Sequence, residues 1–353
     1  MRRRLSATMM AAIAAAALGC GVETGGKGGP VAADGPTLLF ITNSNADWWN
    51  AVEKGMQDAA GELKITAVMK RNEKQTQGQV DRLKEALSLP SVKGVAVSVI
   101  EADAPGVANA MKALRDAGKM VIAIDSDIAA GKESCRQGYI GTNNVKAGEA
   151  AGRAAAAIRP AGGKVITFVG TSAAANARER KQGFFQGAGD KFLDVETLDD
   201  QTDHTRAGTN VQTAVAKYPD VGLLLGLWSY NAPAIAREVG KSAEVRKKLS
   251  VVTFDLDEAS VDHIEKGRID ATVCQNPYEM GSQGVRLLKA LIEKDEAGVK
   301  AVLPDGLHRD TGVRVIVPGV DSPVLKAGKA RGDDVITVEE MKSWLVGKGL
   351  KSS

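Results

Sequence analysis

From Thr37 onward the chain alternates apolar runs of strand length with stretches that repeat apolar residues at helical spacing. The runs are Leu38–Thr42, Ile65–Met69, Gly94–Ile100, Met120–Ile124, Lys164–Val169, Phe192–Thr197, Val221–Leu227, Val251–Phe254 and Ala271–Cys274. Between them the apolar residues recur every three or four positions, as in Val52, Met56, Ala59, Ala60 and Leu63, in Val80, Leu83 and Leu87, and in Val285, Leu288 and Ile292. Continuous apolar strands alternating with amphipathic helices predict an α/β fold of doubly wound parallel sheets, covered by helices on both faces.

The runs end in polar residues. Ile41 leads into Thr42-Asn43-Ser44-Asn45, Ile100 into Glu101 and Asp103, and Ile124 into Asp125-Ser126-Asp127. Val169 leads into Gly170-Thr171-Ser172, Leu227 into Trp228-Ser229-Tyr230, and Phe254 into Asp255-Leu256-Asp257. In doubly wound folds ligands bind beyond the carboxyl ends of the strands, so the polar chemistry is expected along one rim. Helix N-caps account for one polar residue per loop, but not for the aromatics beside them.

The first 36 residues follow a different pattern. Arg2, Arg3 and Arg4 precede an apolar run from Ala7 to Leu18 that is too short to span a bilayer comfortably. Ala17-Leu18-Gly19-Cys20 then resembles a lipobox, with Ala at position 17 in place of the usual Leu. Residues 1–20 therefore read as a lipoprotein signal with Cys20 as the lipidation site, which places everything after it outside the cytoplasm on a lipid tether. An ordinary secretory peptide with an incidental cysteine is the alternative. Residues 21–36, rich in Gly, read as a flexible tether. Gly21-Val-Glu-Thr-Gly-Gly26-Lys27 imitates a phosphate-binding loop, but Gly28 stands where Ser or Thr should be and no strand precedes it, so no nucleotide cofactor is expected.

The formal net charge is +3, with 46 basic and 43 acidic residues. Cleavage before Cys20 removes three arginines and no acid. A mature chain so nearly neutral has no whole-molecule reason to seek nucleic acid or anionic lipid. No later stretch is apolar for long enough to span a membrane, leaving the lipid as the expected membrane attachment. Cys135 and Cys274 are expected as buried free thiols, a disulfide being the alternative in an oxidising compartment. Neither cysteine has a neighbour at metal-ligand spacing, and His204, His263 and His308 are scattered, so no metal site is expected.

Aromatic residues make up only 4% of the chain, yet three of its four tryptophans, Trp48, Trp49 and Trp228, follow predicted strands on the rim. An indole face packs against the C–H surface of a sugar ring. Neighbours on a helix point in different directions, so one of the Trp48-Trp49 pair is expected to anchor the core. Asp125, Asp255, Arg180 and Gln275 supply acceptors and a fork of donors that suit a neutral polyhydroxyl ligand. Glu101, Asp103, Asp127 and Asp257 nearby speak against an anionic ligand and leave a cationic ligand or a bound metal as a minor alternative, although most of these four read as solvated loop residues. No Gly-x-Ser-x-Gly elbow and no nucleophile–base pair emerges, so no catalytic residues are expected. Paired acids on the rim keep glycoside hydrolysis as a minor alternative.

In combination these residues resemble the periplasmic sugar-binding proteins of ABC transporters, in the ribose/galactose-type group. Tyr139-Ile-Gly-Thr-Asn-Asn144, Ala177-Arg-Glu-Arg-Lys-Gln-Gly-Phe184, Gly226-Leu-Trp-Ser-Tyr-Asn-Ala-Pro233, Val252-Thr-Phe-Asp255 and Ala271-Thr-Val-Cys-Gln275 stand in the family's order, within a similarity from about Thr37 to Val317. The resemblance implies a type I periplasmic-binding-protein fold of two α/β lobes joined by a three-segment hinge. The first lobe maps to residues 37–142 plus 276–308 and the second to 143–275 plus 309–320, with crossings near Thr142-Asn143, Gln275-Asn276 and His308-Arg309. Residues 321–353 extend beyond the similarity, with a short helix expected around Val338 to Val346. The implied ligand contacts are Asn45, Trp48, Trp49, Asp125, Arg180, Trp228, Ser229, Asp255 and Gln275. Two departures from ribose-type members bear on the ligand. Asn45-Ala46-Asp47-Trp48-Trp49 replaces Asn-Pro-Phe-Phe, and Asp203-His204 stands where a second-lobe aromatic is expected.

The expectation is a lipid-anchored, extracytoplasmic, monomeric binding protein without cofactor or enzymatic activity. It captures a monosaccharide or polyol between its lobes and delivers it to an ABC transporter permease. A ligand-sensing receptor for a membrane signalling partner and a carbohydrate-active enzyme are the rival classes.

Overall fold

The computed structural model describes residues 35–352. Cys20, the signal segment and most of the expected tether lie outside the described residues. The first part of the chain forms β1 (Thr37–Ile41), α1 (Trp49–Leu63), β2 (Thr66–Lys70), α2 (Gln75–Ser88), β3 (Val92–Val97), α3 (Pro105–Asp116), β4 (Met120–Ile124) and β5 (Gly138–Gly141). It continues through α4 (Asn144–Ile158), β6 (Gly163–Val169), α5 (Ala175–Ala188), β7 (Phe192–Asp199), α6 (His204–Lys217), β8 (Val221–Gly226), α7 (Asn231–Val239), α8 (Ala243–Lys248), β9 (Ser250–Phe254), α9 (Glu258–Glu265) and β10 (Ala271–Cys274). The remainder is α10 (Pro277–Glu293), α11 (Glu296–Val302), β11 (His308–Asp310), β12 (Arg314–Val317), α12 (Pro323–Arg331), β13 (Val335–Thr337) and α13 (Val338–Lys348).

Two sheets result, in the orders β11-β5-β4-β3-β1-β2 and β13-β12-β10-β9-β8-β6-β7. Every pairing is parallel except β10 with β12. The central strands are buried from end to end, as in Met120–Ile124 and Ser250–Phe254, because helices cover both faces. Each sheet also carries one tight helix pair. A Cβ on Gly55 of α1 would lie 1.9 Å from the Tyr278 carbonyl oxygen of α10, and one on Gly148 of α4 would lie 2.2 Å from that of Arg180 in α5. Only glycine permits such close approach of two backbones.

The chain passes from the first sheet to the second after β5, returns after β10 and passes over again after β11. The third crossing differs from expectation. His308–Asp310 pairs with Tyr139–Gly141 and Thr311 N donates to Gly141 O at 2.7 Å, so the first sheet keeps the chain through Asp310 and not only to His308. Four strands escaped the sequence pattern, namely β5, β11, β12 and β13. Each has only three or four residues, and β5 is half glycine, which is too little for a periodicity to show.

The 321–353 segment is not an appendage. Val335–Thr337 pairs with Val315–Val317 and adds a strand to the second sheet. The expected short helix forms as α13, opened by a capping box of Thr337 and Glu340. It buries Val338, Met341 and Leu345 in one cluster with Ile264, Cys274 and Ile316. At its end the Lys348 ammonium lies 4.9 Å from the centre of the Tyr278 ring, which belongs to the helix packed on the first sheet. Cys135 and Cys274 are both buried and free. Among the described residues no helix is long and apolar enough to cross a membrane, and no group of side chains could hold a metal ion.

Candidate functional site

A narrow cavity of about 30 Å³ lies at the carboxyl ends of both sheets, between the lobes. Of the expected contacts, Trp48, Trp49, Asp125, Arg180, Trp228, Ser229, Asp255 and Gln275 all line it, and none is more than 7% exposed. Asn45 does not. It is exposed, and its amide donates to Glu73 Oε1 at 3.1 Å. The loop after β1 turns on Thr42, whose hydroxyl donates to Ser44 O at 2.6 Å and accepts from Asn72 N at 2.9 Å. That turn sends Asn43 inward and Asn45 outward, so Asn43 occupies the cavity wall.

The two carboxylates are placed by backbone conformation. Asp125 follows β4 with φ 59° and Asp255 follows β9 with φ 62°, the left-handed region that non-glycine residues adopt at a cost of about 1–3 kcal/mol. Asp125 N donates to Ile140 O at 3.0 Å and its carbonyl accepts from Tyr139 Oη at 2.7 Å. Asp255 repeats the arrangement, with its N on Val273 O at 2.8 Å and its carbonyl accepting from Thr272 Oγ1 at 2.7 Å. Neither aspartate caps a helix. Asp257 does, accepting from Ala259 N, and Asp127 pairs with Arg136 Nε at 2.6 Å, so these rim acids have structural work elsewhere.

Asp125 Oδ2 accepts from Ser98 Oγ at 2.7 Å and from Asn43 Nδ2 at 3.2 Å. Asp255 Oδ1 accepts from Gln275 Nε2 at 2.9 Å, and its Oδ2 stands 3.7 Å from Arg180 Nη1. Arg180 stacks on the Phe254 ring at 4.7 Å, and donates through Nε to Asn144 Oδ1 at 3.1 Å and through Nη1 to Leu227 O at 2.7 Å. Burial pushes the Asp125 carboxyl up to about 6, against the opposing pull of Arg180. Burial also raises Asp255, with Arg180 again opposing. One guanidinium against two carboxylates leaves the cavity without surplus positive charge, which disfavours phosphate and carboxylate ligands.

Aromatic rings form the walls. Trp48 and Trp49 meet edge to face at 4.9 Å, and Trp228 meets Tyr230 in the same way at 6.4 Å. Both members of the Trp48-Trp49 pair reach the cavity. Trp49 Nε1 donates to Ser44 Oγ at 3.3 Å and Trp228 Nε1 to Asn176 Oδ1 at 3.2 Å. The Trp48 indole N–H lies close enough to Asp255 to help lower it, yet outside hydrogen-bond geometry. Trp48 Nε1 and Arg180 Nη2 are thus buried donors without a hydrogen-bond acceptor among the described residues, a costly state for such groups.

Sequence reasoning missed Asn43, Ser44, Ala46, Asn176 and Tyr230 as wall residues. Asn176 stands four positions before Arg180 on α5, and that spacing puts both on one helix face. Tyr230 lies in the turn already marked by Trp228 and Ser229. His204, standing where the family aromatic was expected, stacks on Tyr230 at 4.7 Å and 7°.

Residues 37–296 match the model of the periplasmic binding protein domain. The chain belongs to the periplasmic binding protein family. Among curated proteins it is 24% identical over 264 residues to the ribose import binding protein of Salmonella typhimurium strain LT2, covering 74% of this chain and 86% of the relative. Among solved structures it is similar to an ABC transporter solute-binding protein from Burkholderia graminis in complex with D-arabinose, at 27% identity and TM-score 0.72, covering 80% of this chain and 95% of that one. A solute-binding protein from Agrobacterium vitis with bound D-fucose is 25% identical with TM-score 0.73, covering 82% and 98% respectively.

Proposed function

We propose that this family member is an extracytoplasmic solute-binding protein. It captures a monosaccharide or related polyol in the cavity between its lobes and delivers it to an ABC importer, while Cys20 carries a lipid that tethers it to the membrane. The observation that carries the reading is the pairing of buried donors without acceptors, Trp48 Nε1 and Arg180 Nη2, with the two carboxylates of Asp125 and Asp255 in one aromatic-walled cavity. Sugar hydroxyls donate and accept at once, so a ring bearing several of them satisfies both sets, while the indoles cover its C–H faces.

Asp125 comes from one lobe and Arg180 and Asp255 from the other, so a ligand that bonds all three favours the closed arrangement over an open one. The ligand contacts in this reading are Asn43, Trp48, Trp49, Asp125, Arg180, Trp228, Ser229, Asp255 and Gln275. The reading assigns no covalent step to them. The hinge is the set of three crossings, with the first lobe formed by residues 37–142 and 276–310.

Calorimetric titration of residues 21–353 against pentoses, hexoses, inositols and amino sugars tests the reading. Saturable binding of one sugar without turnover supports it. Absence of binding across the panel overturns the sugar assignment and points the acid-rich cavity towards a cationic solute. Membrane fractionation tests the anchor. Cys20→Ser is expected to free the protein from membranes, and retention without detergent contradicts lipidation at Cys20.

A further inference from the structure

A buried carboxylate outside the ligand set joins the cavity wall to the rim where the lobes touch. Asp200 follows β7 and is 0% exposed. Its Oδ1 accepts from Tyr230 Oη and, at 2.9 Å, from Thr202 N, while its Oδ2 accepts from Asn231 Nδ2 at 2.9 Å. Asn231 Oδ1 in turn accepts from Trp228 N at 3.0 Å. The turn that presents Trp228, Ser229 and Tyr230 to the cavity therefore hangs on this one side chain. Three donors onto a single buried carboxylate form a network in which each bond depends on the others.

The same side chain shapes the loop in front of it. Gln201 and Thr202 are both left-handed, with φ 57° and 63°, a conformation that a β-branched residue adopts only when its surroundings impose it. The Thr202 amide is held by Asp200, and Gln201 N donates to Gly170 O at 2.8 Å. So held, the loop turns Gln201 O and Thr202 Oγ1 outward to accept from Gln75 Nε2 at 2.6 and 3.1 Å. Gln75 opens α2 of the first lobe and is itself left-handed, with φ 53°.

We infer that Asp200 is a positioning residue for capture, holding the aromatic wall of the cavity and the Gln201-Thr202 loop by which Gln75 clasps the lobes together. The inference rests on the proposed opening and closing of the lobes, but not on which sugar binds. It separates two kinds of contact at the rim. The Arg178–Asp103 ion pair, 3.4 Å apart between exposed side chains, is weakened by salt. The Gln75 clasp is neutral and depends on loop shape, which Asp200 sets.

That ion pair supplies the reporter. In the full chain without added sugar, an Asp103→Cys/Arg178→Cys pair treated with a short bismaleimide, whose spacer makes up the length of the Arg178 side chain that a disulfide could not span, cross-links only when the rim closes. Its rate therefore reads closure directly. Gln75→Ala is expected to slow cross-linking about tenfold, the worth of one or two hydrogen bonds. Asp200→Ala is expected to slow it by a similar factor, and the double variant no further, because both act through one loop. Asp200→Asn keeps an acceptor oxygen for Thr202 and is expected to fall between. A change confined to thermal stability, with the rate of the parent pair retained, overturns the positioning role, as do effects of Asp200→Ala and Gln75→Ala that multiply. If Asp200→Ala does not fold, Asp200→Asn and Tyr230→Phe are read in its place, and parent rates in both overturn the inference. Failure of the parent pair to cross-link removes the closure reading itself, and the inference with it.

Discussion

The two lobes meet the cavity with the same backbone and different charge. Each presents one left-handed aspartate just past a strand, braced through its amide by a neighbouring carbonyl and through its carbonyl by a hydroxyl, from Tyr139 in the first lobe and Thr272 in the second. There the likeness ends. Within its own lobe Asp125 has the neutral donors Ser98 and Asn43, whereas Asp255 has Arg180 3.7 Å away on the same lobe. The first lobe contributes an uncompensated acceptor and the Trp48-Trp49 pair, and the second contributes an ion pair. The positive charge that opposes the raised pKa of Asp125 comes from across the cleft. The shared architecture fixes where the carboxylates stand, and their unequal neighbours give the proposed closure a charge imbalance to settle.

Removing the shared cation should break this comparison most severely. Arg180→Ala is expected to lower affinity for the sugar identified by titration by about 3 kcal/mol or more, because it strands Asp255 as a buried charge. Arg180→Lys is expected to rescue little, since it loses the fork that also reaches Asn144 and Leu227. Calorimetric affinity close to the parent in Arg180→Ala would refute the shared-cation account.

The aspartates should then separate by state. Asp125→Ala and Asp255→Ala are each expected to weaken sugar binding by about 1.5–3 kcal/mol. In the sugar-free protein, Asp125→Asn is expected to leave the melting temperature unchanged or raised, and Asp255→Asn to lower it, because Arg180 stands 3.7 Å from Asp255 and acts on Asp125 only across the cleft. Equal melting temperatures for the two variants would erase the asymmetry.

The pH dependence sharpens the same point. Asp125 is pushed up to about 6 and Asp200 to about 7 from the usual 3.8, both chiefly by burial. Asp199 adds to the rise of Asp200, while Tyr230, Thr202 and Asn231 oppose it. The folded protein then binds more protons than the unfolded chain between about pH 4 and 7. Stability is full below the unfolded value and is lost as pH rises through the folded one. The sugar-free melting temperature is expected to fall by roughly a few degrees from pH 5 to pH 8, with a flatter profile in Asp200→Asn. A rise over that interval would contradict both assignments.

The smallest expected effect distinguishes the two neighbouring indoles. Trp48→Phe removes a donor that has no acceptor of its own and should cost binding about 1 kcal/mol. Trp49→Phe removes one already bonded to Ser44 and should cost less. Fluorescence quenching by the sugar is expected to diminish in Trp48→Phe, and the reverse order would reassign the pair.

Much of this was legible in the sequence wherever a long apolar run ended abruptly. Ile124 before Asp125 and Phe254 before Asp255 mark strand ends, and strand ends mark the rim. The errors lie where one residue's direction depends on a turn. Asn45 and Asn43 are equivalent in composition, and only the Thr42 hydrogen bonds decide which faces inward. Asp200 carried no signal because its neighbours Asp199, Gln201 and Asp203 resemble any polar loop, and its role emerges only from Tyr230 and Asn231, about thirty positions away. The strand β13 was hidden for a different reason. Three residues pair only because β12 is already in place beside them.

That late pairing has a consequence for how the chain is made. The first sheet receives β11, and α1 receives its partner α10, only after the whole run of β6 to β10 has been synthesised, while the second sheet receives β13 later still. Neither lobe can finish while the ribosome is still extending the chain through the other. Both lobes are closed by contacts distant in sequence, the kind that slow folding. Synthesis therefore leaves two unfinished lobes until the last strands have emerged, and the long-range pairings lock both of them late.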